Sequence, residues 1–122
     1  MFIALAAARQ GAQLGEVPIG AAIVKDGKVL VSKHNRTRIN HDPTAHAEIL
    51  ALRRAGKALG NYRLADATLY CTVEPCLMCL SSALLSHVGT IRFLAPDCLW
   101  DGVEGLTALN PFVEQRWPEH HE

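Results

Sequence analysis

The chain has 122 residues, of which 49% are hydrophobic and 20% charged, and its formal net charge is zero. This size fits one compact domain, and the 6% aromatic content requires a mainly aliphatic core. No run of residues approaches the ~18 apolar positions of a membrane span, and the N-terminus lacks the basic region of a signal peptide. We therefore expect a single domain over residues 1–122, in the cytoplasm and not in a membrane.

Hydrophobic periodicity and turn residues divide the chain into helices and strands. Asp26-Gly27 lies between two strand-like runs and is typical of a hairpin turn. Thr44 fits the N-cap of the second helix, and Pro75 fits the first residue of the third. The predicted order is helix, strand, strand, helix, strand, helix, strand, over residues 2–14, 19–25, 28–33, 45–59, 68–72, 75–86 and 90–95.

This alternation of helices and strands predicts an α/β fold. The hairpin makes the first strand pair antiparallel, and the strands that helices separate are expected to be parallel. The result is a mixed sheet with helices packed on both faces. Beyond residue 96 the pattern weakens, and we expect a short helix at 103–109, a short helix or strand at 112–116, and a frayed end from Pro118.

Charge is distributed unevenly along the chain. Residues 1–63 hold ten Lys or Arg against four Asp or Glu, a net +6, whereas residues 64–122 hold two against eight, a net −6. Folding can mix the two halves into one neutral surface, which is the simpler interpretation. The alternative is a basic face that contacts phosphate. Its candidate residues are Arg36, Arg38, Arg53, Arg54, Lys57 and Arg63.

Two short segments carry the candidate chemistry. His46-Ala47-Glu48 and Pro75-Cys76-Leu77-Met78-Cys79 together read H-x-E … P-C-x-x-C, each at the predicted start of a helix. This pattern is the signature of zinc-dependent deaminases of bases. Cys76 and Cys79 project from the same side of a helix because they are three residues apart. With His46 they supply three ligands to one Zn²⁺ and leave the fourth tetrahedral position open, as a catalytic zinc requires.

Glu48 is the expected catalytic residue of this arrangement. It is not a ligand, and it would take a proton from the attacking water and pass protons to the ring nitrogen and the leaving ammonia. The alternatives are a structural zinc site, with Cys71 or Cys98 as fourth ligand, and a redox C-x-x-C. A structural site gives no reason for Glu48, nothing else in the sequence resembles a thioredoxin-like protein, and Cys71 also fits a small core residue. The histidines expected at the surface or in loops are His34, His41, His87, His120 and His121.

Longer strings of the sequence resemble one known family. They read EVPIGA at 16–21, HDPTAHAEI at 41–49, NYRL at 61–64, DATLY at 66–70 and EPC at 74–76. Over about residues 2–95 the chain resembles the cytidine deaminase-like superfamily, and within it the tRNA-specific adenosine deaminases. The resemblance implies a three-layer α-β-α sandwich with a mixed five-stranded sheet, one Zn²⁺ per chain, a homodimer, and a tight pocket around a flipped-out base.

The resemblance also implies which residues surround that base. Asn35 stands where the family has an asparagine that contacts the target base. Trp100, like Phe112 and Trp117, either stacks on a base or is an ordinary packing residue. The implied substrate contacts are Pro18, Ile19, Asn35, Ala47, Glu74, Asp97 and Trp100.

Residues 96–122 depart from the tRNA enzymes. Pro96 stands in place of an arginine, a lysine is lost, and the tail is acidic where those enzymes have a basic helix. A protein that neutralises several phosphates usually keeps such cations. Our main expectation is therefore hydrolytic deamination of a free nucleobase or nucleoside, such as a guanine, cytosine or adenine derivative. The alternatives are a tRNA-specific adenosine deaminase that makes inosine at the wobble position, and a non-catalytic zinc-binding partner subunit, against which Glu48 argues.

Overall fold

The structure is a computed structural model that describes residues 1–96 and 119–121. Its elements follow the predicted order through the fourth strand, and one further strand lies near the C-terminus. The expected elements at 103–109 and 112–116 lie outside the described residues, as does Cys98. The helices and strands are α1 Phe2–Gln13, β1 Gly20–Lys25, β2 Lys28–His34, α2 Ala47–Leu59, β3 Thr68–Val73, α3 Leu77–Leu85, β4 Thr90–Ala95 and β5 Glu119–His121.

The strands form one mixed sheet in the order β2-β1-β3-β4-β5. β1 pairs antiparallel with both β2 and β3, whereas β4 pairs parallel with both β3 and β5. The predicted hairpin turn is present, since Asp26 and Gly27 both have left-handed backbones, with φ of 53° and 73°. The five-stranded mixed sheet that the resemblance implied is confirmed.

β5 corrects the expectation of a frayed C-terminal end. Glu119–His121 pairs with Thr90–Arg92 in the same direction. A three-residue strand is too short to show a period-2 pattern in the sequence. Its backbone pairs with the N–H and C=O groups at the edge of β4. The 23 residues between the two strands are enough for the crossover that a parallel pair needs.

One face of the sheet packs against α1. A Cβ atom on Gly20 would collide with the backbone oxygen of Ala4 and would lie 2.7 Å from the backbone nitrogen of Ala8. Both alanines are buried. The helix therefore approaches the strand so closely that glycine is needed at this point of β1 and small residues are needed in α1.

His34 also lies on the α1 face, which corrects the expectation that it is a surface residue. It is opposite Gly20 across the β1–β2 pair and is 9% exposed. A Cβ atom on Gly11 would come within 2.9 Å of the His34 side chain, so the imidazole packs directly against α1. Alternation along β2 places it there, although its residue type favours the surface.

The opposite face carries α2 and α3 and the main hydrophobic core. Successive strand residues point to opposite faces of the sheet. Because Gly20 faces α1, Ala21 and Ile23 face α2 and α3. α2, α3 and the central strands together bury a largely aliphatic core that includes Ile23, Ala51, Leu52, Leu69, Leu80, Ala83 and Ile91. The two faces give the expected three layers, with α1 in one and α2 and α3 in the other. Among the described residues, no helix combines the length and apolarity that crossing a membrane requires.

The second and third helices begin two residues later than predicted. Thr44 is not the N-cap of α2, because its hydroxyl donates to Asp42 Oδ1 at 2.7 Å. The N-cap of α2 is His46, and the N-cap of α3 is Cys76, with Pro75 before it. The first helical residues are therefore Ala47 and Leu77, so a candidate ligand stands at the very end of each helix.

Candidate active site

Three predicted ligands converge between the beginnings of α2 and α3. The Nδ1 atom of His46 lies 3.7 Å from Cys76 Sγ and 3.4 Å from Cys79 Sγ. All three ligand atoms lie within 4.8 Å of one another. A tetrahedral Zn²⁺ with ordinary bond lengths would place nitrogen and sulfur about 3.6 Å apart. The three residues are therefore positioned to bind one metal ion, and their spacing and donor atoms fit zinc.

The two helix ends bring these ligands together. His46 and Cys76 stand at N-cap positions, and Cys79 follows one turn into α3, on the same side as Cys76. The positive ends of both helix dipoles point toward the cluster. They favour thiolate over thiol at the cysteines and negative charge on a bound group.

The two cysteine thiols shift each other's pKa in opposite directions. A hydrogen bond from Cys79 lowers the pKa of Cys76 to about 4, while the same contact and burial raise the pKa of Cys79. The hydrogen bond with Cys76 raises the pKa of His46. The protein groups alone thus favour one thiolate with one proton left between the sulfurs. His46, Cys76 and Cys79 would hold Zn²⁺ in place of that proton, since thiolate and imidazole are ligands that zinc prefers.

Glu48 lies against the ligand cluster without belonging to it. Its side chain is 4% exposed, and Oε1 is buried with no hydrogen-bond partner among residues 1–96 and 119–121. Burial raises the pKa of its carboxyl to about 7, and His46, Cys76 and Cys79 also act on that pKa. A carboxyl in this environment is able to take up a proton and release it again.

Asn35 connects three segments beside the cluster. It is 5% exposed, and its Oδ1 accepts a hydrogen bond from the backbone N–H of Ala47 at 3.0 Å. Its own backbone N–H donates to the oxygen of Ile19 at 3.1 Å. The side chain of Asn35 thereby caps the N-terminus of α2, a role that sequence reasoning missed because twelve residues separate the two groups.

The other predicted substrate contacts are only partly described by the structure. Pro18 is exposed and Ile19 is half-buried, both in the turn before β1. Glu74 is half-buried after β3, and its backbone N–H donates to the oxygen of Ala95 at 2.7 Å. Asp97 and Trp100 lie outside the described residues, as do Phe112 and Trp117. Contact of these residues with a base stays a prediction.

Cys71 is a core residue, as expected, and not a fourth ligand. Its side chain is fully buried in the sheet, and burial raises its pKa well above the ordinary value. Among the described residues, it does not join the group of atoms that could hold the metal. The ligands among the described residues number three, the count of a catalytic zinc site, and Cys98, the other candidate for a fourth ligand, lies outside the described residues.

Two further features of the structure were not predicted from the sequence. Glu16 is a buried carboxylate whose Oε1 accepts a hydrogen bond from Ile39 N–H at 2.7 Å. A groove of about 830 Å³ also runs between α2 and α3, from Thr44 beside the metal ligands to Leu85. The string EVPIGA contained Glu16, but nothing in the string indicates that its side chain is buried. The groove depends on the packing of two helices and leaves no local signal.

Comparison with known proteins identifies the family. The family model for the cytidine and deoxycytidylate deaminase zinc-binding region matches residues 1–95. The tRNA-specific adenosine deaminase of Agrobacterium fabrum is 44% identical over 104 residues, 85% of this chain and 68% of its own length. The chain spans 57 to 73% of the bacterial relatives it matches and 7% of the chloroplastic tRNA(adenine(34)) deaminase of Arabidopsis thaliana.

Solved structures agree with this assignment. A structure from studies of A-to-I editing by tRNA:A34 deaminases superposes with a TM-score of 0.91 at 40% identity, covering 98% of this chain and 88% of that one. The guanine deaminase of Bacillus subtilis superposes with a TM-score of 0.76 at 39% identity, covering 83% of this chain and 64% of that one. With the ligand triad and the fold in place, the chain belongs to the family of the cytidine and deoxycytidylate deaminase zinc-binding region.

Proposed function

We propose that the chain deaminates adenosine in tRNA, giving inosine at the wobble position and releasing ammonia. The observation that carries this proposal is the 40 to 45% identity with tRNA-specific adenosine deaminases over most of the chain. This supports the alternative of the sequence analysis better than its main expectation of a free nucleobase or nucleoside. That expectation rested on residues 96–122, most of which lie outside the described residues.

In the reaction, His46, Cys76 and Cys79 would hold Zn²⁺. When bound, this ion supplies Lewis-acid activation of a water molecule near neutral pH. Glu48 takes the proton of the attacking water and delivers protons to the ring nitrogen and the leaving amine. Its buried Oε1 supports this role, because it has no hydrogen-bond partner among the described residues and its carboxyl lies beside the three ligands.

Asn35 and the sheet around it hold the reacting groups in place. The bond from Ala47 to Asn35 Oδ1 fixes the first turn of α2, which carries both His46 and Glu48. The accepting Oδ1 leaves the amide NH₂ of Asn35 as a donor for a polar group of the base. The buried surroundings exclude water and strengthen such contacts.

Exposed cations in the described part of the chain support a polynucleotide substrate. Arg38 lies in the loop that leads to His46, and Arg53 and Arg54 lie on α2. All three are exposed, so they are available to phosphate groups. The loss of cations after residue 96 does not remove these.

The similarity to a guanine deaminase supports a second candidate, deamination of a free purine base. At 39% identity, the B. subtilis guanine deaminase is nearly as similar as the tRNA enzymes. The ligand triad and Glu48 serve either substrate, since both reactions replace an exocyclic amine at a ring carbon.

Ammonia release from a substrate panel distinguishes the two candidates. The panel contains an anticodon stem-loop with adenosine at the wobble position, the same stem-loop with guanosine there, and free adenine, adenosine, guanine and guanosine. Inosine formation in the first RNA alone supports the proposal. Turnover of guanine with both RNAs untouched would contradict it and support the second candidate.

A further inference from the structure

A buried carboxylate outside the metal centre has no part in the chemistry described above. Glu16 follows the turn that ends α1, and its side chain is 5% exposed. Oε1 accepts the Ile39 N–H at 2.7 Å, whereas Oε2 is buried without a hydrogen-bond partner in the described part of the chain. Burial of a carboxylate is costly, and a link from a helix to a strand does not need one. Glu16 therefore serves more than the connection of α1 to β1.

The contacts of Glu16 fasten the β2–α2 loop, residues 35–46, to the turn after α1. Ile39 lies in the middle of this loop. A second tie runs beside the first, because the guanidinium of Arg38 donates to the backbone oxygen of Gly15 at 3.1 Å. Two consecutive loop residues are thus held by two consecutive turn residues.

The β2–α2 loop behaves as one hydrogen-bonded unit. Asn40 N–H donates to the oxygen of Arg36 at 2.8 Å, and Arg36 N–H donates to the oxygen of Ala45 at 3.0 Å. At its two ends stand Asn35, which caps α2, and the ligand His46. A shift of the middle of the loop is therefore transmitted toward the rim of the candidate active site.

The loop presents polar and cationic groups to solvent. Arg38, Ile39 and Asn40 are exposed, and Arg36 is half-buried with its Nε donating to Asn40 Oδ1 at 3.1 Å. The guanidinium and amide groups of this loop stand six to ten residues before the metal ligand His46. Such groups bind phosphates and the edges of bases, here those next to a target nucleotide.

We propose that Glu16 is a positioning residue that fixes the β2–α2 loop in the conformation that contacts the nucleotides flanking the target base. The inference rests on the proposed function, since only a polynucleotide has flanking nucleotides. Glu16 does not touch the reacting atoms. It lowers the KM for RNA because the loop is ordered before the RNA binds.

The test compares Glu16→Ala, Glu16→Gln and a control, Asp26→Asn, which removes a carboxylate at the exposed hairpin turn. With the anticodon stem-loop, KM should rise about tenfold in Glu16→Ala, while kcat stays within about twofold. Glu16→Gln should restore most of the affinity, because its amide oxygen still accepts the Ile39 N–H. A fall in kcat at unchanged KM would overturn the proposal, as would equal KM in all variants.

Hydrogen exchange of the zinc-loaded protein tests the same inference without substrate. Residues 36–42 should exchange faster in Glu16→Ala than in Glu16→Gln, Asp26→Asn or the unsubstituted protein, with exchange in α3 unchanged. Equal protection of the loop in all four proteins would overturn the proposal. If the unsubstituted protein leaves the stem-loop untouched, the proposed function fails, and the exchange of the loop still decides whether Glu16 holds it.

Discussion

Three consecutive residues at the beginning of α2 have three different roles in the candidate site. His46 offers its Nδ1 to the metal, Ala47 donates its backbone N–H to Asn35, and Glu48 places a buried carboxyl beside the ligands. In the middle of a helix, neighbours two apart point away from each other. At the N-cap the backbone is extended, with φ of −72° and ψ of 150° at His46, so both side chains reach one cluster.

The assignment of Glu48 as the proton carrier predicts the effect of Glu48→Gln. The amide keeps the shape of the side chain but cannot accept and return a proton, so turnover should fall by at least about 10³-fold. Zinc content, measured by metal analysis, should stay near one per chain because Glu48 is not a ligand. Asp66→Asn, at an exposed left-handed position with φ of 64°, is the matched control. Loss of zinc in Glu48→Gln would show that its assigned role is wrong.

The hydrogen bond from the Ala47 N–H to Asn35 Oδ1 predicts that replacing Asn35 impairs both stability and catalysis. Asn35→Ala leaves the Ala47 N–H without its side-chain acceptor, at a cost of about 1–3 kcal/mol. We expect a higher KM or a lower kcat in a protein that still melts cooperatively. Asn35→Asp keeps an acceptor for Ala47 and should retain more of the stability, although it lacks the amide donor. An unchanged KM and kcat in Asn35→Ala would show that Asn35 does not contribute to the site.

At the scale of elements, the sequence predicted what depends on local pattern and missed what depends on distant partners. Periodicity gave the order of α1 to β4, and the pair Asp26-Gly27 gave the hairpin. The start of α2 was misplaced because its cap comes from Asn35, outside the local sequence, and α3 begins two residues after Pro75. The ligand set followed from the H-x-E … P-C-x-x-C pattern together with the helical spacing of the two cysteines. The burial of Glu16 and His34 could not follow from it, since each depends on how a segment distant in sequence packs over it.

The close approach of α1 to β1 predicts the consequence of adding one methyl group. In Gly20→Ala the new Cβ would meet the backbone of Ala4 and Ala8, which cannot move without displacing the helix. Overpacking of this kind costs about 1–3 kcal/mol or more in the free energy of unfolding. Denaturant titration measures it. Gly89→Ala is the control, because its Cβ would lie 3.5 Å from the nearest atoms, an ordinary contact. Equal stability of the two variants would contradict the packing described for α1.

At the scale of the whole molecule, the groove between α2 and α3 bears on assembly. Its lining includes the apolar Ile49, Leu52, Met78 and Leu85 and the cations Arg53 and Lys57, and no carboxylate lines it among the described residues. Leu85 is 70% exposed, and Tyr62, also in the lining, is 76% exposed. Large apolar side chains grouped at the surface mark sites of association. We expect the homodimer that the family resemblance implies to bury Tyr62 and Leu85.

Light scattering of the purified protein tests the dimer. We expect a mass of twice the 13.3 kDa of one chain, and a shift toward the single-chain mass in Leu85→Lys. Val29→Lys, a 46% exposed apolar residue on the edge strand β2, is the control for adding a charge. A single-chain mass for the unsubstituted protein at micromolar concentration would contradict the expectation.

The separation of charge along the sequence leads to a prediction about salt. If the exposed arginines contact phosphates, the logarithm of the RNA association constant falls linearly with the logarithm of salt concentration. A slope between about −2 and −4 would correspond to a few neutralised phosphates. Fluorescence anisotropy with the labelled stem-loop between 50 and 200 mM salt measures it. An association constant that does not change with salt, or no binding at low salt, would show that these arginines do not bind phosphates of the RNA.

The pairing of β4 with β5 also has a consequence for handling the protein. Without Glu119–His121, the backbone of Thr90–Arg92 would stand open along one side of the sheet. Such an open strand recruits strands from other molecules through its unpaired backbone N–H and C=O groups. A version shortened before residue 119 would keep every metal ligand and Glu48, yet precipitate during expression. Three residues far from the zinc ligands in sequence would thereby keep the edge of β4 from pairing with another molecule.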